Sequence, residues 1–331
     1  MNKTISFLQN YGVVLAFAIL VVVNLVFRGP SFLAVDNLRN IISQGSFVGI
    51  IAIGMTLVII SGGIDLAVGS LVVLSAAAGM LFLNKLSGGA ATSAIMQAGI
   101  VSILVGTCAG FLNGVIIAYA RVAPFIVTLA GLAAYRSIAL VLGDGGEIRS
   151  LVPSFQDVGF GGVGIPFAKT NTGEPVVLYW SAILFFALAI LAHLLLTKTK
   201  FGRYVIAVGA NEAAARYSAI SIPKIKIAVY TILGSLVGLS SFFLAARMNS
   251  VGTGSVGLFY ELDAIASVVI GGTSLRGGKG RIWGTVIGVI LLTLISNMLT
   301  AFRVDTDWQG TVRGLVILVA VLMQGGAKET R

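Results

Sequence analysis

The feature that most constrains this chain is a succession of apolar runs, each about as long as a bilayer is thick and separated by short polar punctuation. A helix needs roughly 17 to 25 mainly apolar residues to cross the hydrocarbon core, because it rises about 1.5 Å per residue through about 30 Å. Ten segments meet or approach that length: 11–27, 41–60, 66–83, 93–119, 123–142, 176–197, 225–246, 258–272, 283–301 and 308–324. The sequence therefore predicts an all-α fold, a polytopic membrane helix bundle of about ten transmembrane helices. Composition agrees, since 57% of the 331 residues are hydrophobic and 10% are charged, whereas an ordinary soluble domain carries about 25% charged residues. Segment 258–272 is the weakest, being short and carrying Glu261 and Asp263 at its start, and is expected to be a broken or partial span. The first run follows Lys3 and is succeeded by Phe27, Arg28, Gly29 and Pro30 rather than by a small-residue cleavage site, so it is expected to stay as the first span.

Basic residues are retained on the cytoplasmic side of a membrane. With the N-terminus inside and ten crossings, that side collects Lys3, Arg121, Lys198, Lys200, Arg203, Arg216, Lys224, Lys226, Arg276, Lys279, Arg281, Lys328 and Arg331 against Asp65, Glu212 and Glu329. The other nine basic residues are balanced by nine acidic ones, so the net charge of +10 falls entirely inside. This predicts a multi-pass protein with both termini cytoplasmic. Nucleic acid is not the expected partner, because Lys and Arg lie in separate loops and form no single basic face. The connection 144–175, rich in Gly and Pro and carrying Asp144, Glu147, Asp157 and Glu174, reads as an ordered outer loop or short partial helix. It divides a single transmembrane domain, 1–331, into approximate halves 1–143 and 176–331. Five spans in each half would make the halves inverted, as in transporters built from inverted repeats. The Gly62–Leu66 and Gly271–Leu275 stretches echo one another.

Glycines recur at four-residue spacing at Gly106, Gly110 and Gly114, at Gly234 and Gly238, and at Gly280, Gly284 and Gly288, which predicts close helix–helix packing. Cys108 is alone and is expected in the core; His193 has no histidine, cysteine or carboxylate partner on its helix, so neither a metal site nor catalytic residues are expected. The loop Gly271–Arg281 fails as a phosphate-binding loop, with Thr273 and Gly280 where the motif needs Gly and Ser or Thr. The chain thus carries no ATPase and no cofactor of its own. Few carboxylates lie deep in the spans, which argues against a proton- or sodium-coupled carrier.

Two polar segments stand out. In Ser61–Ser70 the expected helix break or gate involves Gly62, Gly63 and Asp65, with Gly271 and Gly272 as counterparts. Asp65 should be solvated, cap the next helix or bond backbone amides. In Lys198–Lys226, Asn211 is expected to cap a short Ala-rich helix with Glu212 and Arg216 paired at i, i+4, ending before Pro223; it reads as a docking element or a solvated loop helix.

Taken together, Ala52–Ile59 leading into Gly62–Leu66, Pro124–Leu129, Phe201–Tyr204, Asn211–Arg216, Tyr260–Ala266 and Gly271–Gly284 resemble the membrane subunit of bacterial ATP-binding-cassette importers for monosaccharides, nearest the ribose permeases. Permeases for ribose, xylose, galactose, galactofuranose and a quorum-signal sugar look alike in these stretches. The resemblance implies a bacterial inner-membrane homodimer, a cytoplasmic ATPase subunit with two nucleotide-binding domains that carries the ATP and Mg, and a periplasmic or extracellular sugar-binding protein. It places the ATPase-coupling loop on Asn211, Glu212, Ala213, Ala214, Ala215, Arg216, Ser218 and Ile220. The family often has Gly where this chain has Ala210 and Ala219. Alternating access would move the sugar along the dimer interface, with Asn113, Phe125, Thr128 and Ser296 as path candidates and Glu261 and Asp263 as outer-face candidates. A branched-chain amino-acid permease and a stand-alone secondary carrier are the alternatives, and a membrane-embedded enzyme is a third class for which no catalytic cluster is visible.

Overall fold

The computed structural model describes residues 17–305 apart from 171, 172 and 174, together with 308–312, 314, 315 and 318. Lys3, residues 11–16 of the first predicted span, Glu174, most of 308–324, and Lys328, Glu329 and Arg331 lie outside the described residues. The described part of α1 is helical over 17–28 and leads into a 3-10 turn, Gly29–Leu33. Seven helices among the described residues are long and apolar enough to cross a membrane: α2 (Val35–Ile60), α3 (Val68–Lys85), α4 (Ala91–Tyr119), α5 (Pro124–Leu142), α7 (Trp180–Lys198), α10 (Ile222–Met248) and α12 (Ile282–Ala301). Between α5 and α7 comes the one-turn-and-a-half helix α6 (Phe155–Phe160). Two more helices, α8 (Lys200–Ala210) and α9 (Glu212–Tyr217), follow α7. The weakest predicted span is α11 (Tyr260–Ile270), whose 11 residues reach only about 16 Å, half a bilayer. Helix α2 starts six residues before its apolar run because its first turn neutralises itself, Arg39 pairing with Asp36 at 3.0 Å.

The helical-bundle expectation holds, with two small antiparallel sheets added at one end: β1 (Glu147–Arg149), from the loop between α5 and α7, pairs with β4 (Ser250–Gly252), which follows α10, and β2 (Gly162–Lys169) pairs with β3 (Pro175–Tyr179) within that loop. The predicted start of a span at 176 is therefore strand, and α7 begins at Trp180. Val163, Ile165, Val176 and Val177 favour a pleated surface, but the strands are too short for a sequence pattern to separate them from loop. A stack of cations on aromatic rings fastens this cap to the helices. The Arg247 guanidinium lies 4.0 Å from the Phe160 ring centroid and 4.6 Å from that of Tyr179, and Arg39 covers Tyr179 at 5.1 Å. Ser250 and Arg149 both bond Glu147 and hold its carboxyl below the usual range.

Helices α2 and α10 run antiparallel through the centre, while α5 and α7 bury only about a third of their apolar windows and form the periphery. The most extensive helix–helix packing is between α4 and α10, and it is made by glycine. A Cβ on Gly106 would overlap the Gly234 carbonyl, one on Gly110 the Tyr230 carbonyl, and one on Gly238 the Ser102 carbonyl. The same device joins α11 to α12, where Gly284 and Gly288 face the carbonyls of Gly271 and Ser267. In lipid no hydrophobic effect drives helices together, so such backbone proximity supplies the packing energy. Cys108, expected in the core, is exposed on the outer face of α4. His193 lies 6.3 Å from the Trp283 ring, where peripheral α7 meets α12.

Replacing Gly110 by Val should force α4 from α10 and destabilise the protein by about 1–3 kcal/mol, the usual cost of overpacking. Gly164→Val, at a position with open space around it, should leave the thermal unfolding midpoint of the detergent-solubilised protein unchanged. The two midpoints measured side by side check this.

Candidate functional site

One end of the bundle gathers α8, α9, the α2–α3 turn and the α11–α12 loop; the other carries the sheets. At the first end Thr199 opens α8, its Oγ1 accepting the Gly202 N–H at 3.2 Å, and Asn211 opens α9 as expected, its Oδ1 accepting the Ala214 N–H at 3.0 Å. Glu212 does not pair with Arg216. Its carboxylate reaches Lys226 at the base of α10, a largely buried cation that lies beneath the first turn of α9 and offers a drier partner than exposed Arg216. Helix α9 touches the bundle through buried Ala215 and half-buried Ile220. Ala213, Ala214, Arg216 and Ser218 are exposed, and Tyr217 is 93% exposed.

Three helices at this end stop in the same way. At α2, Gly63 N–H bonds Val58 O and Gly62 N–H bonds Ile59 O; at α11, Thr273 bonds Val268 and Gly272 bonds Val269; at α9, Ile220 bonds Ala215 and Ala219 bonds Arg216. Each is a Schellman cap, whose key residue takes a left-handed backbone. Gly62 (φ 84°) and Gly272 (φ 86°) suit it, but the third cap holds Ala219 at φ 58°. The echo between 62–66 and 271–275 is thus a shared cap at one end of the bundle, whereas inverted equivalents would lie at opposite ends.

These ends interlock. The Gly278 N–H donates to the Ile60 carbonyl at 2.8 Å, and Gly209, in the last turn of α8, packs so closely on the same carbonyl that a Cβ there would overlap it. Backbone of α8, of the α2–α3 break and of the α11–α12 loop therefore meets at one point.

Just beyond, Asp65 is 3% exposed. It is neither solvated nor the cap of α3, whose N-cap is Ala67 without a side-chain bond; its Oδ1 closes a turn on the Ala67 N–H at 2.8 Å. Asn113 stands beside the carboxyl and accepts the Tyr135 hydroxyl at 2.8 Å. The Tyr230 hydroxyl donates to Ile64 O at 3.2 Å, and Thr128 donates to Pro124 O at 3.0 Å within the same knot. Two path candidates, Asn113 and Thr128, are thereby brought together with the break residues and buried. Phe125 is 51% exposed on the rim of α5, away from them. Ser296 instead lines a groove of about 150 Å³ between α2, α11 and α12, together with Gln44, Asp263, Ser267 and Thr293. Glu261, two residues before Asp263, faces α3 at Gly69. Sequence reading missed Tyr135, Tyr230, Gln44 and Gly209. The tyrosines and Gln44 signal themselves as polar groups within apolar runs, where an unpartnered hydroxyl or amide is costly; Gly209 carries no such signal.

Residues 37–321 match the family described as branched-chain amino acid transport system, permease component. The chain belongs to that family. It is 40% identical over 295 residues to the ribose import permease protein RbsC of Escherichia coli strain K12, covering 89% of this chain and 87% of that protein. Against the ribose import permease protein RbsC of Bacillus subtilis strain 168 it is 40% identical over 321 residues, 96% and 92% of the two chains. The xylose transport system permease protein XylH of Haemophilus influenzae is 32% identical and matches over 97% of each chain. No solved structure matches the chain significantly.

Ala219→Gly should raise stability by roughly 0.5–1 kcal/mol, since a left-handed non-glycine residue costs about 1–2 kcal/mol and glycine returns part of that through the unfolded chain. A lowered or unchanged unfolding midpoint would contradict the strain assigned to this cap.

Proposed function

We propose that this chain is the membrane-spanning permease subunit of an ATP-driven monosaccharide importer whose first substrate is ribose. The observation that carries the reading is 40% identity to ribose import permeases along about nine-tenths of the chain. The family description leaves a branched-chain amino-acid permease as the second reading; relatedness to both ribose and xylose permeases favours a sugar. The chain hydrolyses nothing itself, and a separate cytoplasmic subunit with two nucleotide-binding domains supplies ATP and Mg.

In this proposal the α8–α9 end is cytoplasmic, which the clustering there of Arg121, Lys198, Lys200, Arg203, Arg216, Lys224, Lys226, Arg276, Lys279 and Arg281 supports. The single domain comprises ten crossings in two inverted halves, with the long antiparallel helices α2 and α10 as corresponding central elements, and works as a homodimer. Helix α9, exposed on every side but one, docks the ATPase. Tyr217 and Arg216 are the residue types that dominate protein interfaces. Movement of α9 reaches the α2–α3 break and the α11–α12 loop through Gly209, because backbone pressed on backbone leaves no side chain to absorb it. The sheets at the other end receive a sugar-binding protein. Closure of the ATPase then alternates access between the two ends, and a neutral, hydroxyl-rich solute passes through sites of modest affinity. The stand-alone carrier reading is the weaker one, since it leaves the exposed α9 without a role.

Tyr217→Ala combined with Arg216→Glu should reduce co-purification of the cognate ATPase at least tenfold while membrane insertion stays normal. Undiminished ATPase association and uptake would refute the docking role of α9.

A further inference from the structure

A second cavity, of about 290 Å³, lies between α3, α5, the strap 253–259 and the first turn of α11. Its walls include Ser70, Leu132, Arg136, Leu140, Phe259 and Glu261. Its size stands at the lower end of the range of small-molecule pockets, roughly 300 Å³ upward.

Arg136 lies two-thirds of the way along α5, where a lone charge is expensive and marks function. Its Nη1 donates to Val256 O at 2.8 Å and to Thr253 O at 3.2 Å, which ties the strap to α5. No ion pair joins it to Glu261 among the described residues, although the two charges attract each other across the pocket. A guanidinium and a carboxylate therefore face one cavity without closing on each other. Phe259, the residue before α11, holds φ at 64°, a strained backbone for a bulky side chain, and its ring lines the pocket while 57% exposed. Strain of this kind persists where the surroundings enforce it, and such places cluster at ligand sites.

The chemistry of these walls selects a class of ligand. An anion would meet Glu261 and a cation would meet Arg136, so a solute without net charge is favoured; between a zwitterionic amino acid and a sugar, identity to ribose and xylose permeases favours the sugar. Adjacent hydroxyls can donate to the Glu261 carboxylate and accept from Arg136, while the C–H face of a sugar ring rests on Phe259 and Leu132. We propose that this pocket is a monosaccharide subsite of the translocation path, with Arg136 and Glu261 as its hydroxyl-binding pair and Phe259 as its ring platform. The proposal rests on the permease reading and deepens it.

The test uses proteoliposomes holding the permease with its ATPase and binding protein, fed labelled ribose, xylose and galactose one at a time. Glu261→Gln should lower sugar moved per ATP hydrolysed about tenfold, as expected for losing a charged hydrogen bond, and change the ratio of rates among the three sugars. Leu132→Trp, which fills the cavity while keeping both charges, should exclude galactose more strongly than ribose. Unchanged ratios in both variants would overturn the subsite, as would uptake falling only in proportion to the amount of inserted protein. A wild-type assembly that hydrolyses ATP yet moves no sugar would overturn the permease reading itself, a different outcome from failure of the pocket.

Discussion

Within a bilayer no water is at hand for the carbonyls and amides that a broken helix leaves open, so protein must supply every partner. In this chain the requirement converges on the end of α2. Ile60 gives its carbonyl to the Gly278 amide, and Ile64 gives its own to the Tyr230 hydroxyl. Asp65 closes the turn that follows on the Ala67 amide. The α2–α3 break thereby depends on α10, on the α11–α12 loop and on α8 at once, and none of these can shift without disturbing the others. A permease needs such an arrangement if motion at one surface is to reach the membrane interior.

Glycine sets the distances that make this possible. Where α4 meets α10, and where Gly209 meets Ile60, a single methyl group would occupy space that backbone already fills. Rigid contact transmits displacement, whereas a layer of long side chains would yield to it. The cap at α9 departs from this economy: Ala219 holds a backbone that Gly62 and Gly272 adopt freely. Helix α9 is thus the least comfortably terminated of the three.

Seven of the ten predicted spans were legible in the sequence among the described residues because hydropathy is local, and the half-length of α11 was legible in Glu261 and Asp263 at its start. So was the capping of α9 by Asn211, whose partner is three residues away. What escaped had partners far along the chain. Glu212 chooses Lys226 over Arg216 because α10 places that lysine beneath it, and Asp65 is dry because Asn113, Tyr135 and Tyr230 come from three other helices. The small sheets join strands separated by about a hundred residues in one case and by a polar hairpin in the other, patterns too short to outweigh the helical ones around them. Of the path candidates, Asn113 and Thr128 reached the central knot, Ser296 a separate groove, and Phe125 the periphery. Periodicity could not assign faces in helices apolar on all sides.

The central claim is coupled import of a sugar. It is tested most directly by reconstituting this chain with its ATPase in proteoliposomes, with ATP inside, binding protein outside, and labelled ribose followed over time. The account predicts ribose accumulation that requires both ATP and binding protein and that a non-hydrolysable nucleotide abolishes. Ribose entry independent of ATP, or accumulation of branched-chain amino acids with none of any sugar, would contradict it.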